Sequence, residues 1–194
     1  MKAFRNKFSS LSLAALLVLS LSATPALADK EGKDNNRWSS NTVDTLVGIK
    51  GAEALVGAVL YVEGADVLDF SLVEFLSSER FVLFAPTNSA FENLLALEPG
   101  SLAGLSASDI ANALGGLVPA DAVAGILLKH VVPKRKFWRG TENRLLRDGS
   151  AQAADGSELA VGVGVSGVAV NDSTIIKANF ITRNSIIHFI DTVL

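Results

Sequence analysis

At 194 residues, 49% of them hydrophobic, the chain is long enough for one domain with a substantial core. It carries 17 basic and 20 acidic residues and no cysteine. That balance lacks the positive field that nucleic acid or anionic lipid binding requires, and a disulfide framework is excluded.

Lys2, Arg5 and Lys7 precede the apolar run Leu11–Leu21 and the small-residue site Ala26-Leu27-Ala28, the pattern of a secretory signal. The run is 11 residues long, whereas a membrane-spanning helix needs about 20. Cleavage after Ala28 is therefore expected, and with no cysteine beside the site a bacterial lipid attachment is not. The chain stops at Leu194 inside its last predicted strand, which predicts no C-terminal anchor and a soluble product without a stable membrane anchor. Residues 29–194 hold 14 basic and 20 acidic side chains, a net charge of −6. A nucleic-acid partner is not expected of such a chain. The signal together with the absence of cysteine suggests a bacterial source and a product that is periplasmic or extracellular.

Asp29–Ser40 is polar and charged, a flexible lead-in with Trp38 as its exception, read as docked on the domain with an exposed sticky aromatic as the alternative. Asn41-Thr42 predicts the cap of a short helix bearing Val43, Leu46 and Val47. Ala52–Val62 is apolar nearly all round, the mark of a helix packed on several sides. Leu72, Val73, Phe75 and Leu76 predict a third helix. Phe81–Phe84 then has the length and composition of a strand buried on both faces. Pro86 ends it, because its nitrogen has no proton for the ladder. Thr87, Asn88 and Ser89 offer oxygens to orphan amides, and Ser89-x-x-Glu92 has capping-box spacing. Phe91, Leu94 and Leu95 continue at helical spacing, giving a strand, a sharp corner and a helix.

Glu98-Pro99-Gly100 breaks that helix. Ser106–Leu114 predicts another, ended by Gly115-Gly116, and Pro119–His130 the next, running into extended Val131-Val132-Pro133. From Phe137 onward short strands are expected, divided by the turn formers Asp148-Gly149, Asp155-Gly156 and Asn171-Asp172. Leu159, Val161, Val163 and Val165 alternate with small residues as a half-buried strand. Ile175-Ile176 and Ile186–Leu194 complete the set. The last is too apolar for a sheet edge and belongs beside Phe81–Phe84. Helices first and strands later predict an α+β domain.

Several chemistries find no support. Gly162-x-Gly164-x-x-Gly167 fits a dinucleotide fingerprint, but it lies among valines in strand-like sequence with no helix start after it, so a glycine-rich hairpin is expected. The only histidines are His130 and His188, without the spacing of a zinc site. No Gly-x-Ser-x-Gly occurs. His188 and Asp191 lie three apart on one strand and face opposite sides, so they do not form a base and orienter. Both histidines are read as neutral, hydrogen-bonded core residues. Thr87, Asn88, Asn184 and Asp191 are read as structural polar groups tying the corner after Pro86 to the sheet. Asn171-Asp172-Ser173 is read as a turn rather than as a glycosylation site. No enzyme, metal or cofactor is expected.

Three blocks in register resemble the fasciclin (FAS1) domain family. FVLFAPTNSAF (residues 81–91) is similar to its first conserved box, LLKHVVP (127–133) to its middle motif, and NSIIHFIDTVL (184–194) to its second box. The resemblance spans roughly Asn41 to Leu194. It implies a wedge-shaped β-sandwich with helices packed against it and the two boxes as neighbouring strands. It also implies a secreted adhesion or matrix module, with a cell-surface or matrix component, protein or polysaccharide, as partner and self-association as a second route. The middle tyrosine-histidine pair of animal members, tied to integrin-dependent adhesion, corresponds to Lys129 and His130. The tyrosine is lost, so integrin-type recognition is not expected, while Lys129 and His130 stay the candidate binding positions. Two departures, Asn179 for the family's usual aspartate and Ser185 for its usual glycine, are read as tolerable, Ser185 being the one able to alter its turn. Because some members bind carotenoids, the alternative is a soluble carrier of an apolar small molecule, held in a crevice between helices and sheet.

Overall fold

The computed structural model describes residues 40–133, 141–164 and 167–194. The expected signal at 1–28, the lead-in with Trp38 up to residue 39, and Val165 lie outside the described residues. Six helices and two strands come first in the chain: α1 (Thr42–Val47), α2 (Glu53–Ala65), α3 (Leu72–Ser78), β1 (Phe81–Pro86), α4 (Asn88–Leu94), α5 (Ala107–Gly115), α6 (Ala120–Lys129) and β2 (Val131–Pro133). After them come α7 (Thr141–Asp148), β3 (Ser150–Gln152), β4 (Glu158–Gly164), β5 (Gly167–Val170), β6 (Ser173–Ile181) and β7 (Ser185–Ile190). The class is α+β, as the order of elements predicts.

The seven strands form one mixed sheet in the order β2-β1-β7-β6-β5-β4-β3. β7 lies inside the sheet and runs parallel to β1, with Val82 opposite Ile186 and Phe84 opposite His188. This is the adjacency expected of the two apolar runs. The period of two sends Phe81, Leu83 and Ala85 to one side, where they join Ile187 and Phe189 under the helices. Val82 and Phe84 point to the other side and meet Val132, Leu159, Val161, Val170 and Ile190. The two leaves of the expected sandwich are thus halves of one sheet folded over this second core. Its end strands β2 and β3 approach each other, and the Ala154 N–H donates to the Val131 carbonyl at 2.7 Å.

α2 is the helix apolar nearly all round, and it touches α1, α3, α4, α5 and α6. Where α5 crosses it, a methyl group on Gly57 would stand 2.8 Å from the Ala107 carbonyl oxygen and 2.9 Å from Ile110 Cβ. Neither neighbour is the free end of a flexible chain, so the helices must separate to admit one. Gly57→Ala is expected to destabilise the fold by about 2 kcal/mol despite alanine's better helix propensity, read as a lower urea midpoint with unchanged slope.

Three local expectations differ from the fold. Residues 141–148, expected among short strands and turns, form α7, which buries Leu145. Gly149, at φ 70°, donates its N–H to the Leu145 carbonyl and ends that helix, so Asp148-Gly149 is a helix stop rather than a strand turn. The cap of α4 is Thr87, whose hydroxyl accepts from the Ala90 N–H, and not Ser89. Glu92, expected to complete a capping box, is buried and accepts the N–H groups of Gly100 and Leu102 at 2.8 and 2.9 Å. The capping box occurs instead at Ser106 and Asp109. Finally, Val163 is 80% exposed, because β4 runs past the core that holds Leu159 and Val161. The Gly162, Gly164 and Gly167 pattern is the β4–β5 hairpin, with Gly164 opposite Gly167.

Candidate functional site

The candidate positions fall into three places set by the parallel β1–β7 pair. At its C-terminal end is the corner after Pro86. The Thr87 N–H donates to the Ile190 carbonyl at 3.2 Å, closing the corner on β7. Asn88 points the other way. Its Oδ1 accepts from the Ala54 N–H and its Nδ2 donates to Glu53 Oε2, both at 2.9 Å, so it fastens α4 to the first turn of α2. Asp191 lies just past β7 and accepts from the Thr174 N–H at 2.8 Å and from the Ser173 and Thr192 hydroxyls at 3.2 Å. Burial alone raises its carboxyl pKa, but these hydrogen bonds outweigh it and hold the group below the usual aspartate range. His188 is fully buried with its ring 5.8 Å from that of Phe84.

Asn184 departs from expectation. It sits at the opposite end of β7, away from the corner, because the parallel register sets Ser185 against Phe81. Its Oδ1 accepts the Thr42 N–H and hydroxyl, both at 3.1 Å. Its Nδ2 donates to the carbonyls of Leu76 and Glu79, both at 2.9 Å. One amide therefore satisfies the start of α1 and the end of α3, whose terminal backbone groups have no partners within their helices. Ser185, read as a tolerable replacement, begins β7 without a positive φ, and its hydroxyl bonds those of Thr42 and Thr182 at 2.6 and 2.9 Å. Asn179 has the left-handed backbone, φ 64°, that asparagine tolerates well among non-glycine residues.

The middle motif forms the third place. Lys129 ends α6 half-buried, whereas His130 is 1% exposed. The His130 ring spans two elements: Nδ1–H donates to the Ile126 carbonyl at 2.7 Å, and Nε2 accepts the Leu194 N–H at 3.0 Å. The second bond requires the neutral ring. Burial pushes its pKa down to about 4, against the hydrogen bond to Ile126; Lys129 lowers it further and Asp155 opposes. His130 thus lies beneath the surface, and Lys129 is the part of the pair that reaches it.

The crevice between helices and sheet, walled by Leu55, Leu72, Leu83 and Leu127 among others, has a volume of about 10 Å³. That is room for roughly one water-sized probe, far below a polyene. Among the described residues no three His, Asp or Glu side chains gather as a metal-binding group, and no helix is long and apolar enough to cross a membrane.

Protein sll1483 of Synechocystis is 31% identical over 179 residues, covering 88% of this chain and 86% of that protein. The cell surface glycolipoproteins MPB83 of Mycobacterium bovis and MPT83 of Mycobacterium tuberculosis are each 28% identical over 126 residues. Those matches cover 65% of this chain and 48% of theirs, so the chain matches about half the length of the mycobacterial relatives. Among solved structures, a FAS1 domain pair from the insect cell adhesion molecule fasciclin I aligns with TM-score 0.46 and 17% identity, over 74% of this chain and 45% of that one. The fasciclin domain family matches residues 62–194, with both conserved boxes and the middle motif inside the match. The chain belongs to the fasciclin domain family.

Proposed function

We propose that the chain is an exported, non-enzymatic binding module that associates with cell-surface or matrix material, protein or polysaccharide. Membership of the fasciclin family carries this reading, supported by the mycobacterial relatives that bear the name cell surface glycolipoprotein. The closed crevice under the helices favours recognition at the outside over enclosure of a small ligand. Of the middle motif, Lys129 is the candidate contact, while His130 braces it from beneath and Thr87, Asn88, Asn184, His188 and Asp191 hold the scaffold. We assign residues 1–28 to an export signal, 29–40 to a lead-in and 41–194 to the domain. Starting the domain at 41 is favoured by α1, which is tied to β7 through Thr42 and Asn184. One copy offers one face, so linking two surfaces requires a second face or self-association.

The test is co-sedimentation of the purified protein with envelope and matrix fractions of its host. Saturable retention on at least one fraction is expected. A monodisperse monomer that stays in the supernatant with every fraction would contradict the reading.

A further inference from the structure

Between α2 and α3 the chain leaves Asp66 with a left-handed backbone, φ 52°, and enters the next helix at Ser71. The turn encloses a cleft of about 420 Å³ lined by Val62, Glu63, Asp66, Leu68, Asp69 and Phe70. That volume lies within the usual span of ligand pockets, roughly 300–1,000 Å³. Its polar walls are unequal. Glu63 accepts the Ser71 hydroxyl at 2.6 Å and the Leu72 and Val73 N–H groups at 2.9 and 3.2 Å. The donors at the start of α3 are thereby consumed and are not offered to an anion. Asp66 and Asp69 are exposed and form no ion pair with any described residue.

Phe70 supplies the third kind of wall. The residue is 46% exposed, and its ring lies 5.9 Å from that of Phe75, which stacks at 5.7 Å on Phe81 of β1. Half-buried Leu68 adds apolar surface, with buried Val62 beneath it. The helical part of the chain that carries the cleft is acidic: residues 41–128 hold 11 Asp and Glu against Lys50 and Arg80. An aliphatic stem ending in a cation matches each wall. The stem lies on Leu68, and the charge meets Asp66, Asp69 and the Phe70 ring. A phosphate or carboxylate is repelled, and a neutral sugar uses the carboxylates only as hydrogen-bond acceptors and leaves their charge uncompensated.

We propose that this cleft receives a lysine or arginine side chain presented by a basic segment of a partner protein. The proposal rests on the binding-module reading and names the chemistry of its partner.

Fluorescence anisotropy of a labelled hexalysine peptide on the purified protein tests it, with hexaglutamate as control. Saturable binding of hexalysine alone is expected, weakening as salt rises from about 50 mM to about 500 mM. The double variant Asp66→Asn/Asp69→Asn should weaken it about tenfold, since two charge-assisted contacts are lost. Asparagine keeps the shape and tolerates the left-handed backbone at 66. Phe70→Leu should weaken it about threefold with an unchanged melting temperature. The pair Glu98→Gln/Asp121→Asn, which removes the same charge elsewhere on the acidic half, should leave it near wild type.

Absence of hexalysine binding overturns the proposal, and so does an equal loss in the remote pair, which would mean a diffuse field. Cadaverine competing as strongly as the peptide would replace the partner segment by a free amine. A salt-sensitive dimer abolished by Asp66→Asn/Asp69→Asn would put a second copy there instead. Hexalysine binding without retention on any envelope or matrix fraction counts against the functional reading and leaves the cleft standing.

Discussion

Asn184→Ala is expected to destabilise the protein by about 4 kcal/mol and to lower its melting temperature by about 10 °C. The side chain is 8% exposed and makes its bonds across more than 100 residues of sequence. Truncation leaves the Thr42 N–H and the Leu76 and Glu79 carbonyls without that partner, in a place where water is largely excluded. Each such loss costs about 1–3 kcal/mol, against a total stability of about 5–15 kcal/mol. Asn93→Ala, on the exposed side of α4, removes the same amide and should change stability by less than about 0.5 kcal/mol. Chemical denaturation of the two variants side by side gives the comparison. A loss at Asn184 no larger than at Asn93 means that the amide does not hold α1 and α3 to β7.

The second large effect is expected from acid. Because the folded-state pKa of His130 is lowered to about 4 from an ordinary 6.5, the unfolded chain binds more protons between those values. Stability is then fully present above about pH 6.5 and is lost as pH falls towards 4. At about 1.4 kcal/mol per pKa unit the loss is on the order of 3 kcal/mol. The geometry gives the same sign, since a proton on Nε2 would face the Leu194 N–H and break that bond. The carboxyls of Glu53, Asp155 and Asp191 are all held below their ordinary values, so their contribution falls away only at lower pH. His188 is common to both proteins, so the difference between wild type and His130→Gln in urea midpoints from pH 7.5 to 4.5 isolates His130. The midpoints should fall in the wild type and fall far less in His130→Gln, which starts lower but has no ring to charge at that position. Parallel curves would remove His130 as the cause.

What the sequence discloses here follows the range of the interaction. The β1 corner, the interior place of β7 and the glycine hairpin are legible because an apolar run, a proline or a paired glycine acts within a few residues. α7 is not. Its residues are mostly polar, Leu145 is its main apolar anchor, and Asp148-Gly149 reads equally well as a strand turn. The cap of α4 is misjudged by two residues because Glu92, three beyond Ser89, is drawn away to the amides of Gly100 and Leu102. The role of Asn184 is invisible to local pattern, since its partners at 42, 76 and 79 come near only after β1 and β7 pair. His130 is legible as a neutral core histidine, yet its tie to Leu194 spans 64 residues and appears only in the fold. The acidic cleft beside Phe70 leaves a faint trace, an aspartate-rich turn between two helices that any solvated loop can show.

The described interior is committed to packing, and the proposed recognition falls to the outer face. Fractionating cells of the native host after mild crosslinking, and identifying both the first residue of the protein and whatever is joined to it, tests that most directly. The expected chain begins at Asp29, lies outside the cytoplasm and is joined to surface or matrix material. An intact chain beginning at Met1, cytoplasmic and joined to nothing, would contradict it.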